Sequence, residues 1–196
     1  MPRLESNLII DRCPHCSVAN PNLFKRHYLS TQDHVGHFER HWFVYSCGSC
    51  GGVVTAWASS PGSEVVQIFP EPQTVDADIP DRPKSFLEQA IASIHAPAGA
   101  VMLAASSVDS MLKIKGYTQG NLYNRIEKAA EDHLITAEMA AWAHDVRLDA
   151  NDQRHADEES SLPTQDDAQR AIDFTKALAE FLFVLPAKVR RGRESH

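Results

Sequence analysis

The sequence predicts an α+β chain, with a small metal-stapled β module ahead of an all-α antiparallel bundle. Three observations carry this. All four cysteines fall in two C-x-x-C pairs between residues 13 and 50, among runs rich in β-branched and aromatic residues. Prolines and aspartates then interrupt the chain between about residues 70 and 84. From residue 85 onward, apolar residues recur at helical spacing, punctuated by capping residues.

The first module spans residues 1–70. Its pairs are Cys13-Pro14-His15-Cys16 and Cys47-Gly48-Ser49-Cys50, the second followed by Gly51-Gly52. Two such pairs present four thiolates to one tetrahedral ion, which is the coordination structural zinc prefers. Small residues let each pair wrap tightly, so that backbone N–H groups point at sulfur. Cys13, Cys16, Cys47 and Cys50 are therefore the expected zinc ligands, with one zinc per chain. Strand-like runs at Trp42–Tyr45, Val53–Trp57 and Val65–Phe69, with turns at Gly51-Gly52 and Pro61-Gly62, complete a zinc ribbon.

CPHC alone also suits a thiol–disulfide enzyme, with Leu8-Ile9-Ile10 as the preceding strand and a helix N-terminus lowering one thiol's pKa. The second pair, and the lack of a βαβ continuation or an export signal, favour structural zinc. Thirty residues separate the pairs, more than the usual gap, so an inserted loop or short helix is expected there. It carries His27, His34, His37 and His41. On a helix, His37 and His41 would sit one turn apart and could chelate a second metal, although a solvated loop accounts for them more simply.

A Pro-rich linker is expected over 71–84, a helical bundle over 85–189 and a basic tail over 190–196. Ser85 with Glu88 reads as a capping box opening the first helix. Pro97 suits the first turn of the second, and Gly116 its end. The third runs from about Asn121 to His133, and Thr136 caps the fourth. Thr164 with Asp167 opens the last helix, lined by Phe174, Leu178, Phe181, Leu182 and Leu185 until Pro186. Lys188, Arg190, Arg191 and Arg193 read as a solvated basic tail.

Composition narrows the function classes. The formal net charge of −7 argues against an extended DNA groove, because counterion release needs many clustered cations. No apolar run approaches the roughly 18 residues of a membrane span, so no membrane partner is expected. The charged N-terminus does not resemble a secretory signal, and a cytoplasmic location follows as the default expectation.

The stretch of greatest functional interest is Trp142–His155, WAHDVRLDANDQRH. Arg147, Asn151 and His155 stand at steps of four and share one face if the helix holds that far. A guanidinium, an amide and an imidazole on one stripe can grip a phosphate or another anion. They can equally hold the bundle together, Arg147 pairing with Asp109 or Glu138 and His155 capping a helix end. The nearby Asp149, Asp152, Asp157, Glu158 and Glu159 would repel RNA phosphates and favour the structural role.

CPHC and CGSC ahead of a helical bundle, then VRLDANDQRHA, then FLFVLPAKV, resemble the bacterial domain-of-unknown-function family 4145. The resemblance covers nearly the whole chain. It implies a zinc-ribbon start and a HEPN-like helical bundle, a class that includes metal-independent ribonucleases and non-catalytic adaptors in phage defence. In the nuclease reading, His155 acts as general acid or base on a ribose 2′-OH and Arg147 holds the scissile phosphate. Asn151 orients the phosphate or the imidazole, and His144 assists. A homodimer would bring two such stripes together. Two departures stand out. Ala150 replaces the usual Gly, and seven residues separate Arg147 from His155, a longer interval than in the nucleases. The reading favoured is a zinc-binding accessory in a defence or stress response, with RNA or a protein as partner. The alternative is a HEPN-type ribonuclease.

Overall fold

The computed structural model describes residues 2–72, 74–155 and 162–194; for 147–149 and 151–155 it describes the backbone alone. The chain is mixed α+β and divides into two compact units, Met1–Gln73 and Thr74–His196.

The first unit holds a four-stranded antiparallel sheet in chain order: β1 (Leu23–Thr31), β2 (Arg40–Cys47), β3 (Val53–Ala58) and β4 (Gln67–Phe69). Side chains alternate across a pleated strand. Phe43, Tyr45 and Cys47 on β2, with Val54, Ala56 and Ala58 on β3, therefore all turn into one core. Leu4, Leu8 and Leu23 close it. Tyr45 is fully buried, and its hydroxyl donates to the Glu5 carbonyl at 2.9 Å, so the one polar atom of the ring is satisfied.

The thirty-residue insert differs from the expected loop or short helix. It contributes β1, which pairs along its length with β2 and carries a bulge between Lys25 and His27. Cross-strand bonds support the pairing: the Trp42 indole N–H donates to the Thr31 hydroxyl at 2.9 Å, and the Tyr28 hydroxyl meets His41 Nδ1 at 2.7 Å. His41 thus lies on a strand and His37 in the loop before it. The one-turn helical spacing needed for a second chelate does not exist. Among the described residues, the only cluster able to hold a metal is that of the four cysteines. Leu8-Ile9-Ile10 is likewise not a strand, and no helix follows CPHC, so the scaffold of a thiol oxidoreductase is missing there.

The second unit is built around α2 (Pro97–Ile114), against which α1 (Asp81–Ala92), α3 (Leu122–Glu131), α4 (Ala137–His155) and α5 (Gln165–Ala179) pack. Ala100, Ala104 and Ala105 are buried with Val101, Val108, Met111 and Leu112 along the inward side of α2. Two fully buried hydroxyls have partners: Ser107 donates to the Pro83 carbonyl at 2.7 Å and Thr175 to the Ala171 carbonyl at 2.8 Å.

Several helix ends follow local chemistry. Pro97 starts α2, and Gly116 at φ +101° follows its end. The Thr136 hydroxyl accepts the Met139 N–H, and Thr164 and Asp167 form a reciprocal capping box. The first helix does not begin at Ser85. It begins at Asp81, inside the expected linker, with its first bond from the Lys84 N–H to the Pro80 carbonyl at 3.0 Å. Pro83 falls in the first turn, where a missing N–H costs nothing.

Pro186 does not end the last helix. A π-helical turn at Glu180–Val184 joins α5 directly to α6 (Leu185–Glu194). Proline removes an i→i−4 bond and crowds the carbonyl one turn back, and a widened turn just before it absorbs both effects. The extra residue in that turn also rotates the stripe. Leu182 and Val184 are buried, whereas Phe181 and Leu185, expected to face inward, are 41 % and 49 % exposed.

Residues 190–194 continue α6 rather than forming a tail. Lys188 pairs with Glu180 at 2.9 Å, and the Arg191 guanidinium grips Asp78 with two bonds of 2.8 Å. The hydrogen bonds from Arg191 hold the Asp78 carboxyl below its ordinary value. A depressed carboxylate stabilises the folded state at pH above its unfolded pKa, and that contribution is lost as pH falls through the folded pKa. In an Arg191→Gln variant, an NMR titration of Asp78 should therefore show its midpoint rising toward the ordinary 3.8. An unmoved midpoint would show that the pair does not hold the carboxylate.

Candidate metal centre

The two C-x-x-C turns are built alike, which follows from their equal spacing. In each, the residue after the second cysteine donates its N–H to the carbonyl of the first: Ser17 to Cys13 and Gly51 to Cys47, both at 2.9 Å. The first cysteine's own N–H reaches the carbonyl five residues on, Cys13 to Val18 at 3.0 Å and Cys47 to Gly52 at 2.9 Å. Closing so tight a loop forces the residue after each pair into left-handed backbone, Ser17 at φ +57° and Gly51 at φ +71°.

The glycine that follows has a different reason. A Cβ on Gly52 would stand 2.5 Å from the His15 ring, so only glycine lets the two turns approach. His15 is held there by a 2.7 Å bond between its Nε2 and the Val53 carbonyl, and it is not one of the clustered ligands.

The approach brings the four sulfurs together, all within 4.8 Å of one another, and no disulfide links them. Cys13 Sγ and Cys50 Sγ are 3.9 Å apart. A tetrahedral zinc–thiolate site has Zn–S bonds of about 2.3 Å, hence sulfurs about 3.8 Å apart. Donor set and spacing therefore fit a metal ion.

The backbone favours anionic sulfur. The Gly52 N–H points at Cys50 Sγ at 3.3 Å. Burial pushes the Cys47 thiol up, but N–H groups from Cys50 and Ser49 together with the Cys13 and Cys50 sulfurs bring Cys47 down to about 7. Burial dominates at Cys16, pushed up to about 12 despite the Val18 N–H, and at Cys13, which is also raised. Crowding four sulfurs without a cation disfavours charging them all, and a divalent ion removes that obstacle.

The second candidate group lies on α4. The helix holds through His155, so the backbone positions of Arg147, Asn151 and His155 fall along one stripe. Their side chains lie outside the described residues, as do Asp157, Glu158 and Glu159. The pairing expected between Arg147 and Asp109 or Glu138 therefore lies outside the described residues. Asp109 accepts from Arg125 at 2.5 Å and pairs with Lys113 at 2.5 Å. Glu138 stays local, its carboxyl held below its ordinary value by its own N–H and the Thr136 hydroxyl. His144, expected to assist Arg147, meets Glu127 at 2.7 Å and lies against the Tyr123 ring with centroids 4.8 Å apart.

Sequence reasoning missed Arg125. Its two terminal nitrogens reach Asp109 and the Gly120 carbonyl, tying α3 to α2. Nothing local marks it, because its partner lies sixteen residues away on another helix.

A family model described as "Domain of unknown function (DUF4145)" matches residues 88–195, more than half of the chain. No curated protein and no solved structure matches it.

Proposed function

The chain belongs to the DUF4145 family, and we propose that this member is a zinc-ribbon binding module joined to a HEPN-like helical bundle, working as a non-catalytic accessory. One observation carries the reading: four cysteine sulfurs gathered within 4.8 Å. Four protein ligands close a tetrahedral shell and leave no position for water or substrate, which is the pattern of structural zinc and not of catalytic zinc. Cys13, Cys16, Cys47 and Cys50 thereby pin two loops and the ends of β2 and β3.

The accessory role is placed in a defence or stress response, with a homodimer as the working form and a protein or RNA as partner. A cytoplasmic location belongs to the same reading. Among the described residues no helix is long and apolar enough to cross a membrane.

Purified tag-free protein is expected to carry one zinc per chain by elemental analysis. Its four thiols should resist a thiol reagent until a chelator is added. Protein free of metal, or thiols that react at once, would overturn the zinc centre.

The helical run of α4 through His155 favours a second reading, a HEPN-type ribonuclease using Arg147, Asn151 and His155. It requires RNA cleavage without added metal and loss of that cleavage in His155→Ala with the fold intact. Wild-type protein that cuts no RNA under any metal-free condition removes it.

A further inference from the structure

A half-open groove of 730 Å³ runs between α1, α2 and α3, with Ala150 of α4 at its edge. Among the described residues its charged lining is Arg82, Lys113, Arg125 and Asp109, three cations against one carboxylate. Such a surplus of positive charge is unexpected on a chain of net −7. Asp109 is already neutralised by Arg125 and Lys113, so the groove keeps two positive charges once that triad is counted. Arg125 is largely buried and fixes the triad, while Arg82 and the half-exposed Lys113 face solvent.

The groove also contains the N-terminus of the ten-residue helix α3, where Asn121 caps the Asn124 N–H. The N–H groups of the first turn lack intrahelical acceptors and favour negative charge. Beside these groups lie apolar side chains that are largely exposed, Ile114 at 48 % and Tyr123 at 47 %, with Met102 further along the groove. The Phe86 ring stands under the Arg82 guanidinium, 5.7 Å from its centroid. A concave, mostly apolar surface with a few convergent cations is what a small-molecule site presents.

We infer that this groove binds a small organic anion, a phosphate or carboxylate on a flat apolar body. The anionic group would lie between Arg82, Lys113 and the start of α3, and the apolar body against Ile114 and Tyr123. Neither half suffices alone: two solvated cations hold a free ion weakly, and the apolar strip offers no orientation.

The test uses 1-naphthyl phosphate as the probe on the full chain, followed through the methyl NMR signals of Ile114. Saturable shifts are expected, with a Kd of about 1 mM or tighter. Inorganic phosphate and 1-naphthol, each lacking one half, should bind at least about tenfold more weakly. Arg82→Gln and Lys113→Gln should each weaken the ester by about tenfold, while Lys113→Arg retains it. Both positions are exposed enough for the fold to survive. Methyl signals that stay still, an ester that binds equally to both Gln variants, or naphthol that binds as tightly as its phosphate, would each overturn the assignment.

Discussion

Stripping the metal from the full chain is expected to unfold residues 1–73 while the helical unit stays folded. The first unit has a small core, and Cys13 and Cys47 are themselves members of it. Domains of this size rarely hold together on apolar burial alone. Zinc contributes about 10–16 kcal/mol to the folding of comparable structural sites, as much as the whole stability of a typical domain. The helical unit has its own core around α2 and holds none of the cysteines. In a ¹H–¹⁵N spectrum, a strong chelator should collapse the dispersed signals of β1–β4 and leave those of α1–α6. Cys47→Ser should do the same without chelator, because it removes one of the four thiolates at the end of β2. Strand amides that stay protected after complete metal removal would show that the sheet stands without its staple. Acid should act like chelator, since each thiolate must shed a proton to bind metal and regains it as pH falls.

In the helical unit the largest single loss is expected from Phe174→Ala. The ring is fully buried and lies 5.0 Å from that of Trp142, joining α5 to α4. Removing a buried Phe costs about 3–5 kcal/mol through lost transfer energy and the cavity left behind. That is a large share of a domain stability of about 5–15 kcal/mol. Denaturant unfolding followed by helical circular dichroism should show the midpoint falling with little change in slope. Phe181→Ala is the matched control. The π turn leaves Phe181 41 % exposed, so it should cost far less. Equal losses at the two positions would contradict the rotation of the stripe at that turn.

The residues that were legible share one property: their meaning is local. Two C-x-x-C pairs announce a candidate metal cluster because within each pair only two residues separate the sulfurs. Thr164 with Asp167, Thr136 and Pro97 mark helix ends because a cap bonds within its own first turn. What was misread depended on partners far along the chain. The histidine-bearing insert became β1 because β2 was available to pair with it. Asp109 found Arg125 on the neighbouring helix, sixteen residues away.

By itself the amino-acid sequence determined the order of a β unit and a helical unit, the four cysteines that cluster, most helix caps and membership in the family. Each follows from side-chain chemistry acting over a turn or two. Tertiary structure alone decided that the histidine-bearing insert pairs as β1, that Pro186 sits after a widened turn without ending its helix, and that, among the described residues, three cations gather around one groove. Those outcomes depend on which surfaces meet, and packing settles that over distances no local pattern spans.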